Sequence, residues 1–529
     1  MHSLKQLLIA SICLLPIGTL AQTAAGFAQL NAKAEQQYLH PIRPGQEGKA
    51  PFWNAFAHRF IYAPAFPFQK VAGARKYRFE LTTESGAQFS FTHKNPQACI
   101  APEVWQKLPE GKVTLTLSAL NAKGQPIGES QTRSFTRDYP FHSPYPEAPY
   151  SYREAAERGL LYVHRMPQIQ HWRTSTEPDM SYSYHTYPCK IIGATIRCEC
   201  MLARLRPEYR QEALETARGA AAFLMKESRP EGSPLAYFPP TYYNKGGGKH
   251  ATNFKENQNK TMMLEAIIVG DAMLDLYEAT HEQQYLDHAL GIAATYQRMQ
   301  KADGSLPIKV DYLTGEPVNQ VSAMLGHYLR FVQRLHRDFG HTEYLKAEAL
   351  GDRWMKQGPM KTFDLTGQFE DVSVQGLKPY ENLTNVTACI YATYLTYKPR
   401  PTRRELRDAY DLISMSEDQF VHWRPVGKDY PTPSVFEQHK FQQPINSSTA
   451  NVAEALIGYW SHTGDELAYQ KAKALMDCIV RTQDEATGYL PTSLRGLKNY
   501  GYHWVNCTYN TAEILLLMEQ TQLSHDKQK

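Results

Sequence analysis

Long apolar runs are scarce in this chain. After Leu7–Leu20, itself broken by Pro16, no stretch approaches the ~20 consecutive apolar residues of a membrane-spanning helix. Charge of one sign is also lacking: 57 Lys and Arg against 53 Asp and Glu leave a formal net charge of +4 over 529 residues. That balance offers no concentrated basic face for nucleic acid. Cysteine is sparse, at 8 residues. Past Cys13, the remaining Cys99, Cys189, Cys198, Cys200, Cys389, Cys478 and Cys507 are too irregularly spaced for a disulfide framework or a zinc site, and buried thiols are expected for most of them. Several signatures fail on inspection. Gly246-Gly-Gly-Lys-His250 lacks phosphate-loop spacing, His281-Glu-Gln-Gln-Tyr285 lacks the second histidine of a zinc-protease helix, and no Gly-x-Ser-x-Gly elbow occurs. No cofactor and no metal is expected.

What is present begins with an export signal. Lys5 supplies the positive end, Leu7–Leu20 the apolar run, and Thr19-Leu20-Ala21 the small residues a signal peptidase needs. The expectation is a signal peptide over 1–21 and a periplasmic or secreted mature chain. Residues 22–45 are polar and without period, a tether. Over 46–138, alternating stretches such as Lys76–Thr82, Phe89–Thr92 and Val113–Ser118 are separated by turns like Asn121-Ala-Lys-Gly124, which predicts a small all-β sandwich. Trp105–Gly111 and the Thr-rich strand after it resemble the fibronectin-III-like modules of secreted polysaccharide-degrading enzymes. A linker over 139–150 carries Pro140, Pro144, Pro146 and Pro149, which block helix and sheet continuation.

From 151 to 522 the period is helical and the pattern repeats, leaving a short tail at 523–529. Helix pairs begin near Ile192, Met262, Val321, Thr384, Val452 and Thr508. Two copies align well. Leu264–Pro307 ends in Gln300-Lys-Ala-Asp-Gly-Ser-Leu-Pro307, and Val452–Pro491 ends in Gln483-Asp-Glu-Ala-Thr-Gly-Tyr-Leu-Pro491. The sixth copy ends after one helix, Asn510–Gln522, and the helix at Tyr152–Val163 supplies its partner. The predicted fold class is therefore mainly α: an (α/α)6 toroid preceded by a small all-β sandwich. The repeats and the Asp-Gly-x-Leu-Pro turn resemble the six-hairpin glycosidase and toroid lyase superfamily. Within it, the chain is similar to bacterial β-glucuronidases and unsaturated-glucuronyl hydrolases. It departs from their small single-domain members in its leading β domain, and their paired aspartates do not transfer.

In a ring, the segments that precede each first helix converge at one mouth, where free amide donors favour anions. Those segments mix carboxylates, histidines, amides, cations and aromatic rings, the combination a sugar site needs. Hydrolysis requires two carboxyl groups, and the candidates are Glu256 and Glu437 first, then Asp371 and Glu381. Glu370 also lies at the mouth. Tyr187, Lys190, His250, Asn257, Lys260, Tyr380, His439, Lys440, His503, Trp504 and Asn506 are candidates for substrate contact, with the cations suited to a uronic acid carboxylate. The resemblance implies release of a terminal, glucuronate-like sugar from an oligo- or polysaccharide. A uronate lyase is the main rival. It would use His185 with Tyr187, or Tyr502 with His503, as the base, and Asn257, Asn382 or Asn506 to neutralise the carboxylate. A non-catalytic glycan-binding protein and a uronate epimerase complete the set.

Overall fold

The computed structural model describes residues 24–43, 53–243, 254–367, 372–425, 430–494 and 503–527. The predicted signal segment lies outside them. Much of the expected tether is helix α1 (Ala24–Tyr38). Asn31, Ala34 and Tyr38 recur at i, i+3 and i+7 and are buried, a stripe too short to stand out in a polar, alanine-rich run.

Strands β1 (Arg59–Phe60), β2 (Lys76–Thr83), β3 (Gln88–His93), β4 (Gly111–Leu120) and β5 (Pro126–Arg137) form one curled sheet in the order β1-β5-β4-β2-β3. A second layer of strands, as a sandwich requires, is not found among the described residues. Tyr77, Phe79, Leu81, Val113, Leu115, Leu117 and Phe135 make one apolar face, and Phe66, Ile100, Trp105 and Leu108 from connecting segments cover it. The other face is largely Ser, Thr and Gln. Alternation reports that one face is buried and leaves open what buries it, which is why the sequence suggested a sandwich.

Past the extended linker the chain is helical. Helix α2 (Tyr152–His164) is capped by the Ser151 side chain, which accepts from the Glu154 amide. Hairpins follow: α3 (Pro188–Leu205) with α4 (Arg210–Glu227), α5 (Ala266–Thr280) with α6 (Gln283–Met299), α7 (Gly326–Phe339) with α8 (Leu345–Gln357), α9 (Asn385–Thr396) with α10 (Arg403–Phe420), and α11 (Asn446–Thr463) with α12 (Glu466–Thr482). The last helix, α13 (Val505–Asp526), pairs with α2. Helices α3, α5, α7, α9, α11 and α13 touch in that order, and α13 returns to α3. The ring closes.

The repeated turn shows how neighbouring hairpins are locked. Gly304 has φ +96° and Gly488 φ +79°, and a Cβ on them would lie 2.2 Å from the Leu350 carbonyl oxygen and 2.7 Å from that of Arg158. Only glycine fits a left-handed backbone pressed so closely on a neighbour. Gln300 Nε2 donates to the carbonyls of Gly304 and Ala347, both at 3.0 Å. Gln483 Nε2 donates to those of Gly488 at 2.8 Å and Ala155 at 3.0 Å. Each turn is thereby fastened to the outer helix of the next hairpin, which is α8 in one case and α2 in the other.

The α1–sheet unit rests on the ring at α10. Asp418 accepts from the amides of Ile61 at 2.5 Å and Tyr62 at 2.8 Å, and Arg59 donates to the Val421 carbonyl at 2.7 Å. The end of α10 is the mouth end of the ring, so the sheet sits beside the segment that leads into α11.

Candidate active site

On the inner helices, polar and charged residues that do not pair with an outer helix, as Glu199 does with His164, mark the face turned to the ring axis. Helix α3 places Lys190 and Arg197 there, α5 Asp271 and Asp275, and α7 His327, Arg330 and Arg334. Helix α11 contributes Ser447, Asn451 and Glu454, and α13 Asn506, Asn510 and Glu513. The spacing within each set follows the helical period.

The deeper members meet and form a floor. Arg197 pairs with Asp275 at 2.7 Å and lies 3.8 Å from Glu513. Arg334 reaches Asp275 at 2.5 Å and Asp271 at 3.0 Å. Arg330 donates to both oxygens of Glu454, at 2.9 and 3.2 Å, and the Tyr397 hydroxyl donates to the same carboxylate at 2.9 Å. Asn510 donates to Asn451 at 2.9 Å. Charges this enclosed persist only because each has a partner.

Above the floor, at the start of the inner helices, Glu265 and His327 line one recess whose walls include Met262, Met324, Thr387 and Ile390. Glu265 precedes α5 and is 1% exposed. His327 lies in the first turn of α7. Burial, then the Arg330, Arg197 and Lys190 cations, push its pKa down to about 3. At neutral pH the imidazole is therefore uncharged and only weakly basic, while the surrounding cations favour an anion in the recess.

Two further clusters flank it. Lys309, fully buried, donates to Asn257 Oδ1 at 2.7 Å and to the Val372 carbonyl, and its ammonium lies 5.5 Å from the Tyr242 ring centroid. It belongs to β7 (Lys309–Asp311), which pairs with β6 (Lys260–Met262) immediately before Glu265. On the other side, the half-buried Trp504 packs at 4.3 Å from Tyr184 and 5.7 Å from Tyr187, with Lys190 Nζ 5.2 Å from its ring. A carboxyl, a neutral imidazole, an ammonium and an aromatic wall are the components for holding a sugar ring and moving a proton on it.

The sequence-predicted residues divide clearly. Lys190, Tyr187 and Trp504 come together as described. Asn506 is half-buried on the axial face of α13, and among the described residues its Oδ1 has no hydrogen-bond partner. Asn257 is engaged by Lys309. Glu437 is half-buried on the rim, where its backbone carbonyl accepts from the Asn385 and Thr384 side chains, each at 3.0 Å. Glu256 is exposed and accepts from the Val374 amide at 3.3 Å, and Lys260 donates to the Glu256 carbonyl at 2.8 Å. Glu381 and Lys440 pair with each other at 3.4 Å.

Other candidates lie away from the Glu265–His327 recess. His185 is fully buried against Trp172 and Tyr182, with Nδ1 held 2.8 Å from the Asp179 carbonyl oxygen. Burial lowers its pKa to about 4. His503 is closed in by Tyr162 and Tyr489, and its Nε2 lies 2.9 Å from the Thr508 hydroxyl. The Nε2 of His439 faces Gln419 at 3.3 Å. Tyr380, at φ +60°, spends its hydroxyl on the Thr362 carbonyl at 2.9 Å. None of these four lines the Glu265–His327 recess. His250, Glu370, Asp371 and Tyr502 lie outside the described residues. Glu265, His327, Lys309 and the Arg330–Glu454 pair were not anticipated. A charged stripe in otherwise apolar helices was the signal available for most of them.

No family model matches the chain, and no curated protein sequence does. Among solved structures it is similar to a family 76 glycoside hydrolase from a bovine Bacteroides thetaiotaomicron strain, at 10% identity and a TM-score of 0.46, over 84% of this chain and 93% of that one. It is also similar to a D-mannose isomerase, at 14% identity and a TM-score of 0.46, over 63% and 87% of the two chains. An unsaturated glucuronyl hydrolase specific for heparin matches at 11% identity and a TM-score of 0.43, over 70% and 98%.

Proposed function

We propose that this chain is an exported carbohydrate-processing enzyme that hydrolyses the glycosidic bond of a terminal, glucuronate-like sugar in a complex glycan. The observation that carries this reading is the recess shared by Glu265 and His327 beside Lys190. Glu265, enclosed by apolar walls, acts as the general acid toward the leaving oxygen. Glu437, on the rim beside the start of α9, is the second carboxylate that hydrolysis requires. Lys190 receives the uronate carboxylate, and Trp504 with Tyr184 and Tyr187 walls the sugar ring. Export rests on the residue pattern of the first 21 positions.

One observation favours a second reading. The recess pairs one carboxylate with one imidazole, and such a pair suits removal of the proton beside a uronate carboxylate, as in elimination or epimerisation. The uronate carboxylate, on binding beside these cations, offsets them and raises the basicity of His327, which is then the base, with Lys190 the neutralising cation.

The two readings separate in one experiment. The purified chain is incubated with a panel of uronate-terminated glycans while chromatography follows free sugar and absorbance follows a conjugated alkene. Free uronic acid without new absorbance is expected. Rising absorbance would replace hydrolysis by elimination. Binding without any product, unchanged in Glu265→Gln, would reduce the protein to a glycan-binding module.

A further inference from the structure

The Arg330–Glu454 pair has a geometry that ring closure does not require. Helix α9 stands between α7 and α11 in the ring, so a bridge between those two helices spans the lumen instead of joining neighbours. Its two contacts, at 2.9 and 3.2 Å, fix the guanidinium in two directions. The Glu454 side chain is 6% exposed, and it accepts a third hydrogen bond from the Tyr397 hydroxyl at 2.9 Å. The same Tyr397 ring lies 5.2 Å from the Arg330 guanidinium carbon. Arg330 follows His327 by three residues on α7, one turn deeper on the same face. Holding Arg330 therefore holds the face of α7 that presents the imidazole to the recess.

We propose that Glu454 is a positioning residue: it anchors Arg330 across the lumen, and this strut sets the His327 imidazole against Glu265. The inference rests on the reading of that recess as the reaction centre. Glu454 touches none of the reacting groups and acts only through Arg330. It has an electrostatic part as well. Among the described residues, the charged groups facing His327 are Lys190 and Arg197 from α3, Arg330 from its own helix and Glu265 ahead of α5, while α9 presents the uncharged Thr387 and Ile390. Of the cations, Arg330 acts most strongly on the ring, and Glu454 is the carboxylate that compensates it.

The test needs no substrate. The His327 resonance of the full chain, identified by its loss in His327→Gln, is titrated by NMR in the native protein, Arg330→Gln and Glu454→Gln. Removing the Arg330 charge is expected to raise the His327 midpoint by about one pH unit. Removing the Glu454 charge leaves Arg330 uncompensated, so the midpoint is expected to fall below the native one, and an unchanged midpoint would overturn the role of Glu454. Opposite responses to loss of the two partners are the signature of the strut, whereas a packing defect moves both variants the same way. Equal shifts in both, or none in Arg330→Gln, would overturn the proposal. Where Glu454→Gln fails to fold, Glu454→Asp takes its place. It keeps the charge and shortens the reach, so a changed His327 shift at fixed pH is expected, and an unchanged one overturns the strut. A chain that turns over no glycan would defeat the proposed function and leave this titration readable.

Discussion

Glu265 and His327 enter the recess from different hairpins, and neither belongs to the polar segments that a reader of the sequence would single out. Glu265 is preceded by Met262-Met-Leu264 and followed by an apolar helix, so it reads as an isolated acid in a core element. His327 lies just inside the first turn of α7, past the loop that carries the obvious turn residues. The proposed recess lies at the same end of the ring as the segments that the sequence singles out, and it includes a residue one turn further along. His185 shows the converse: its polar, aromatic neighbours suggested a mouth, and Trp172 and Tyr182 enclose it. Composition around a residue does not report which way its side chain turns. For Glu265 the consequence is testable. Glu265→Gln keeps shape and removes the transferable proton, so turnover on a glycan processed by the native chain should fall by roughly 10²- to 10⁴-fold. Substrate affinity and melting temperature should stay near native values. Turnover within a few-fold of native would remove Glu265 from the chemistry.

At the scale of elements, the hairpins were legible because each repeats a helical period and ends in a recognisable turn. The start of α9 was placed within one residue of its observed position, and α13 and α2 were paired correctly across the whole ring. The turn also ties neighbouring repeats together where they meet. A glutamine at the end of the outer helix, a left-handed glycine and the next outer helix form one hydrogen-bonded unit in both copies. The β region was less legible, since alternating strands look alike whether a second sheet or a set of loops covers them. Helix α1 was missed because its buried positions are few and partly polar. The glycine argument predicts a stability effect. Gly488→Ala imposes φ +79° on an alanine and drives its Cβ to 2.7 Å from the Arg158 carbonyl. Backbone strain and overpacking together should cost about 2 kcal/mol or more. A urea midpoint lowered at unchanged slope is the expected result. Gly464→Ala is the control, because its Cβ meets nothing within 4 Å at a similar φ of +65°, and it should cost less. Equal losses at the two positions would show that the close contact contributes nothing.

For the molecule as a whole, what matters is that the sheet and α1 are tied to the ring through buried charge. Glu417 accepts from the hydroxyls of Tyr38 at 2.6 Å and Tyr62 at 2.9 Å, the Trp423 indole at 3.0 Å and Lys471 at 2.8 Å. These donors come from α1, the segment after β1, the chain beyond α10, and α12. A carboxylate with four donors can afford burial. Its neighbour Asp418 accepts from two backbone amides and the Gln419 side chain, yet burial dominates and raises its pKa to about 7. A carboxyl raised in the folded state favours folding at low pH. That contribution is complete below the unfolded value of ~3.9 and is lost as pH rises through the folded value near neutrality. Asp275 and Glu405 are shifted the other way by their cation partners, Glu405 to about 2, so a single stability curve mixes opposing slopes. The difference between native and Asp418→Asn isolates this one group. The amide keeps an acceptor for the Ile61 and Tyr62 N–H groups and does not titrate. Relative to native, the variant should gain stability steadily from about pH 4 to pH 7 and hold that gain above it. Urea midpoints measured at intervals across that range give the answer. Parallel curves would mean that Asp418 carries no raised pKa and that the docking of sheet on ring is insensitive to pH.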